Sequence, residues 1–168
     1  TARDNLAACS YGYDKGIFGF GNTGSVTAVT NLVSNVGVVA TDVTGVGTAR
    51  HLLAATQYGG DKGIFGFGND GSNVGMTNLV SNAGVVATDV AAVGTARINL
   101  AACEYGANKD TAIFGYGYVT GSSSDSTKIE RFPFASQTNG TDVGNLAVAS
   151  RFYAGANSST THGYHTGG

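Results

Sequence analysis

Apolar residues along this chain come in short bursts, and no burst carries a sustained helical period with caps. Runs of four to seven residues rich in Val, Ile, Phe and Thr alternate with Gly, Asn and Asp clusters such as Tyr58-Gly-Gly-Asp61 and Gly68-Asn-Asp-Gly-Ser72. Such bursts read as short β-strands joined by tight turns. Ala-rich pieces such as Leu6–Cys9 are too short for a stable helix. Four strand-like pieces follow one another: a (as in Asn99–Cys103), b (Gly63–Gly68), c (Met76–Val80) and d (Gly84–Asp89).

The pattern then repeats. DKGIFGFG occurs at Asp14 and again at Asp61, TNLVSN at Thr30 and Thr77, and GVVATDV at Gly37 and Gly84, each 47 residues apart. Tyr11–Arg50 and Tyr58–Arg97 are identical at 31 of 40 positions, a near-exact duplication. A third copy begins at Tyr105 with two extra residues before Ile113 and then diverges; a fourth, partial one ends in His162–Gly168, which aligns without gaps on Lys62–Gly68. Units of approximately 1–47, 48–94, 95–148 and a partial 149–168 make one repeat domain, 1–168. Four short strands per 40–50 residues is the pattern of a β-propeller blade, with a β-solenoid or a stacked β array as the alternatives.

The alternation in Ile64-Phe-Gly-Phe-Gly68 predicts Ile64 and Gly66 on one face and Phe65 and Phe67 on the other. Glycine opposite an aromatic row lets a neighbouring sheet approach closely. Composition fits this reading: 27 of 168 residues are glycine and one is proline, against a usual glycine share of ~7%. Charged residues make up 12%, which suits sheets covered on both faces. A net charge of −2 with nine Lys plus Arg argues against a nucleic-acid partner. No apolar run reaches the ~18 residues a spanning helix needs, so no membrane insertion is expected. The chain opens at Thr1 without a methionine or a signal-like stretch, as expected of a processed chain or a section of a longer product.

Candidate chemistry is sparse. Each unit keeps one arginine (Arg3, Arg50, Arg97, Arg151) and three keep an aspartate in Thr-Asp-Val (Asp42, Asp89, Asp142) eight or nine residues before the next arginine. Equivalent placement in every unit points to structural pairs holding unit to unit, with a ring of anion or sugar sites as the alternative. Asp14–Lys15 and Asp61–Lys62 read as solvated turn-tip charges. Cys9 and Cys103 stand at the same place two copies apart, too far for a bridge, and read as small buried apolar groups. His162 and His165 form an HxxH whose spacing on a strand sends the two side chains to opposite faces, against a shared metal. No catalytic set, metal site or cofactor is expected. Tyr13, Tyr58, Tyr105, Tyr116, Tyr118 and Tyr153 are candidates for carbohydrate stacking, and Asn139 and Asn157 match the glycosylation pattern.

The string Arg…Ala-Ala…Gly-Gly-Asp-Lys-Gly-Ile-Phe-Gly-Phe-Gly resembles the ab half of a kelch-type blade. The stretches KIERFPFASQTNGTDVGNLAVASR and HGYHTGG resemble kelch-like repeat proteins of aquatic phages and environmental sequences. The resemblance implies an all-β, kelch-like propeller in a virion or tail-associated, extracellular protein. The last unit has strands a and b only, an open edge that needs cover. The expectation is therefore a non-enzymatic, self-assembling structural protein of a virion appendage or extracellular fibre, with copies of itself as partners. A multivalent lectin or adhesin binding surface glycans is the alternative.

Overall fold

The computed structural model describes residues 1–91, 93–120, 126–134, 140–145 and 154–166. Strands alone form the described elements, and the fold is all-β. In the first unit β1 (Ala7–Tyr11), β2 (Lys15–Gly19) and β3 (Thr30–Val33) make an antiparallel sheet in that order. In the second, β4 (Ala54–Tyr58), β5 (Lys62–Gly66) and β6 (Thr77–Val80) repeat it in the same register: Ala7 pairs with Gly19 as Ala54 does with Gly66. The third sheet has four strands, β7 (Ala101–Tyr105), β8 (Thr111–Gly115), β9 (Lys128–Pro133) and β10 (Thr141–Asn145), with a bulge between Asp142 and Gly144. A hairpin of β11 (Gly155–Ser158) and β12 (Gly163–Thr166) comes last.

Two expectations need correction. The fourth strand, predicted at Gly84–Asp89, is not continuous in the first two units. Val86 bridges Val80 and Val90 bridges Thr77, so three residues on one side of the ladder face two on the other, and regular pairing breaks as at a bulge. The Asn78 side chain fills the gap, donating to Ala87 O at 3.0 Å.

The second correction concerns the faces of IFGFG. Phe20, Phe67 and Tyr116 have φ of 63°, 62° and 63°. A left-handed residue ends the strand's alternation, so Phe67 does not share a face with Phe65. Phe65 meets the preceding unit, where its ring lies 5.2 Å from Phe20. Phe67 meets the following unit, 5.3 Å from Phe114.

Successive sheets stack through their first strands, with β1 on β4, β4 on β7 and β7 on β11. The stacking is held by one repeated contact. The second strands of the first three sheets, β2, β5 and β8, each carry a glycine that faces forward, and the next unit seats a ring on it. A Cβ at Gly19 would stand 2.7 Å from Phe65 Cζ, one at Gly66 2.8 Å from Phe114 Cε1, and one at Gly115 2.8 Å from His165 Cε1. Real Cβ atoms do not approach that closely, so these positions accept no side chain while the ring stays. Phe65 and Phe114 are fully buried. Two core clusters result: Tyr11, Ile17, Phe20, Phe65, Val80 and Val86 between the first two sheets, and Tyr58, Ile64, Phe67, Val93, Phe114 and Phe132 between the second and third.

Gly66→Val is expected to destabilise the chain by about 1–3 kcal/mol through overpacking, and Phe114→Ala by about 3–5 kcal/mol through the cavity it leaves. Because both act on one seat, the double variant is expected to be less destabilised than the sum of the two. Urea unfolding of the three variants measures this; strict additivity would contradict the seat.

Candidate functional site

The polar chemistry of the molecule is concentrated around the arginine that opens each unit. Arg50 is wholly buried. Its Nε donates to Phe67 O at 2.7 Å, Nη1 to Thr48 O at 3.1 Å and Nη2 to Asn78 Oδ1 at 2.7 Å. Asn78 passes the interaction on, donating to Asp89 Oδ1 at 2.8 Å. Asp89 also accepts from Thr48 N at 3.0 Å and Thr48 Oγ1 at 2.7 Å. The first unit repeats this relay: Arg3 Nη2 donates to Asn31 Oδ1 at 2.7 Å, Asn31 donates to Asp42 at 2.8 Å, and Asp42 receives the Thr1 ammonium at 2.9 Å.

The aspartate thus meets the arginine that opens its own unit, 3.9 Å away for Arg50 and Asp89, and not the next one along the chain. The tie between units is made by the other side of the guanidinium. Arg50 lies 4.2 Å over the ring of Phe20 in the preceding unit, and Arg97 lies 4.4 Å over Phe67, a favourable cation–π arrangement in a desolvated setting. The backbone joins in, with Gly21 N donating to Arg50 O and Gly68 N to Arg97 O.

The third unit solves the same problem differently. Phe114 pairs with Glu130 in the register where Phe65 pairs with Asn78. Arg97 is accordingly ion-paired directly to the buried Glu130. Asp142, expected to pair with an arginine, binds Lys128 at 2.6 Å instead, because the carboxylate beside Arg97 is already supplied. Arg151 lies outside the described residues.

Burial lowers the Arg50 pKa to about 10, and the charges of Asp89 and Asp70 oppose that shift. Desolvation lowers Arg97 too, against the opposing Glu130. Burial raises Asp89, yet the bonds from Asn78 and Thr48 outweigh it and hold the carboxyl below its usual value. Asp42 is held low by its bonds from Thr1 and Asn31. These groups pair with one another, and of their nitrogens only Nε of Arg3 and of Arg97 is left without a hydrogen-bond partner among the described residues. Arg50 and Arg97 turn no donor outward, so an anion or sugar ring at them has no entrance.

The other candidates separate. Asp14 and Asp61 bind the adjacent lysines at the turn tips, and Asn35 and Asn82 reach the same two carboxylates at 3.0 Å. Tyr58 and Tyr116 are buried, which removes both as sugar platforms. Tyr58 Oη donates to Pro133 O at 2.9 Å and its ring packs against Phe134. Tyr105 and Tyr118 are half-buried, and Tyr13 is 80% exposed at a turn. Tyr153 and Asn139 lie outside the described residues; Asn157 is exposed on β11.

Cys9 and Cys103 are free thiols. Burial raises Cys9 to about 12 and Cys103 to about 11, so neither is poised as a nucleophile. Among the described residues no group of three or more His, Cys, Asp or Glu could hold a metal. His162 and His165 diverge as their spacing predicts: His162 stacks near Tyr164 at the surface, whereas His165 turns inward against Tyr116. No helix among the described residues is long and apolar enough to cross a membrane. No protein-family model and no curated protein matches the chain.

What distinguishes one part of the molecule from another is its two end faces. Behind the first sheet, Phe18 is 39% and Val39 56% exposed, whereas their second-unit equivalents Phe65 and Val86 are 0% and 7%. In front of the last hairpin, Asn157, Ser159, Tyr164 and Thr166 are exposed. They stand where the first unit carries Cys9, Tyr11, Ile17 and Gly19. Sequence reasoning did not single out either face, although the Gly19-to-Thr166 exchange was visible in the alignment of the repeats.

The buried charges and the inward histidine are both open to measurement. Glu130→Ala leaves Arg97 as an unpaired buried cation and is expected to cost about 3–5 kcal/mol, measured by urea unfolding. Asp42→Ala, at the exposed end of its relay, is expected to cost far less. His165 is lowered to about 4 by desolvation first and the Arg97 charge second. Between about pH 6.5 and 4 the unfolded chain therefore binds a proton the folded chain refuses, so stability falls as pH falls through that window. His165→Phe, which restores the ring found at 65 and 114, is expected to remove this loss; melting curves at pH 7 and 4.5 compare the two proteins.

Proposed function

We propose that the chain is a non-enzymatic structural repeat protein, a kelch-like β-propeller section or stacked β array that assembles with copies of itself in a virion appendage or extracellular fibre. The observation that carries this reading is the ring-on-glycine seat, which recurs with the same polarity at each junction between successive units. A chain whose internal junctions are all made this way spends its sequence on stacking. Arg3, Arg50 and Arg97 and most carboxylates of the described residues are taken up by pairs and relays, which favours a scaffold over a turnover site. The propeller form is supported by the neighbouring first strands of consecutive sheets, since blades contact one another most closely along one strand each. The glycan-binding alternative loses support with the burial of Tyr58 and Tyr116.

Apolar side chains away from the seat, among them the exposed Val36 and Val85, give copies a reason to associate. Sedimentation velocity and negative-stain electron microscopy of the purified chain at rising concentration are expected to reveal pairs, rings or fibres. Strictly single chains at every concentration would overturn the self-assembling part of the proposal.

A further inference from the structure

The face behind the first sheet deepens the stacking role proposed for this chain, and the inference it carries rests on that role. In the second unit the equivalent face is fully occupied. Phe65 fills the seat at Gly19, a Cβ at Gly63 would stand 2.5 Å from Cys9 Sγ, and one at Gly84 would stand 2.8 Å from Leu32 Cδ2 and 3.0 Å from the Tyr11 ring. The junction before the last hairpin is built alike, with Gly163 under Cys103 Sγ and Ile113 and with His165 on Gly115.

The first unit keeps every one of these features and covers none. Phe18 and Val39 are exposed. A Cβ at Gly37 would meet nothing within 4 Å, and one at Gly16 would meet only its own sheet, at 3.6 Å or more. Gly16 is the informative residue. It does not have the positive φ that would require glycine, and nothing in its surroundings excludes a side chain. Its counterparts Gly63 and Gly163 each lie under a thiol of the preceding unit, whereas the third unit, which follows Thr56 in place of the thiol, carries Ala112 there.

We infer that the face formed by Gly16, Phe18, Gly37 and Val39 is a docking site for a further unit of this same repeat. That unit presents the surface that Cys9, Tyr11, Gly19 and Phe20 present to the second unit: a small side chain over Gly16, a glycine seat for Phe18, and a left-handed aromatic beside it. The partner is defined by that glycine. The front of this chain's last hairpin does not supply it, because Thr166 stands in the seat position and Asn157 and Ser159 replace the thiol and the tyrosine. A second copy joined head to tail would set Phe18 against a threonine.

The chemistry of the join is on hand as well. Thr1 stands where Thr48 stands in the second unit, and Thr48 N donates to Asp89 as the Thr1 nitrogen does to Asp42. A copy of residues 48–94 fused directly before Thr1 therefore continues the repeat in register with an amide in place of the ammonium.

The test uses the full chain with and without that extension. Val39→Cys introduces a thiol on the face, and its alkylation by iodoacetamide is tracked by peptide mass spectrometry alongside the melting temperature. The extension is expected to slow alkylation at position 39 at least tenfold and to raise the melting temperature. The same extension carrying Gly66→Val is expected to do neither, while Ala83→Val in the added unit, at an exposed position where the first unit itself carries Val36, leaves both effects intact. Equal protection by the glycine-seat variant, or none from either extension, overturns the inference whatever the unextended chain does. Protection of position 39 in the unextended chain at high concentration, with a second copy as occupant, overturns it too. Should the unextended chain stay single while the extension protects, the inference stands and the self-assembly proposal alone falls.

Discussion

A phenylalanine ring seated on a glycine of the preceding sheet is the contact on which the rest of the molecule depends. Two antiparallel sheets meeting face to face ordinarily keep about 10 Å between them, filled by side chains from both sides. Here one side contributes nothing at the contact and the other contributes a whole ring. The arrangement has a direction: the glycine faces forward and the ring faces back, so each junction orients the next. It also sets the reach of the neighbouring groups. With Phe65 fully buried on Gly19, the first strands of the two sheets come into contact, and the residues between them, Ala7, Tyr11 and Leu53, pack as one cluster.

The buried arginine is a consequence of that geometry. The strand that carries the glycine is followed directly by an aromatic residue of positive φ, at Phe20, Phe67 and Tyr116. A positive φ at a bulky residue is costly and persists only when its surroundings over-determine it. At Phe20 they do: the ring meets Phe65 on one side and the Arg50 guanidinium on the other. The cation is then out of water and must be matched. The two near-identical units match it at a distance through an asparagine to an aspartate, half-buried at Asp89 and exposed at Asp42, which leaves the carboxylate at least partly solvated and spares its full desolvation. The third unit places a glutamate directly at the asparagine position and buries both charges. One register position therefore decides whether the counter-charge sits inside or at the rim.

Much of this was legible in the chain. The all-β class, the 47-residue period and the turn clusters come from local patterns that survive folding unchanged, and the role of glycine in close approach comes from its lack of a Cβ. The face assignment of Phe67 was not legible, because strict alternation assumes extended backbone throughout and a single left-handed residue reverses it. The fourth strand was overread for a similar reason: Gly84–Asp89 has strand composition, but one extra residue between Val86 and Val90 breaks its ladder. The arginine–aspartate link was visible as a recurring pair of residues. Its intermediate was hidden in TNLVSN, where an asparagine in an apolar strand looks like an ordinary edge residue until Phe65 is found paired with it. The substitution of Asn78 by Glu130 lay in the part of the third unit where the repeats diverge and the alignment lost its register.

The last junction separates what the seat requires from what it tolerates. His165 occupies the place of Phe65 and Phe114 and lies over Gly115, with Nε2 3.8 Å from Cys103 Sγ and Nδ1 without a hydrogen-bond partner among the described residues. A buried imidazole nitrogen left unpaired is unfavourable, and the ring is accepted nonetheless. The seat therefore selects a flat ring of the right thickness, and the chemistry at the ring's edge is secondary. The glycine admits no such substitution while the ring stays, since any Cβ would enter the ring itself. Across the repeats the invariant partner of each junction is accordingly the residue with no side chain, and the forward face of a unit is competent for stacking when that glycine is present. At Thr166 it is absent, which makes this face unlike the three that precede it in the chain.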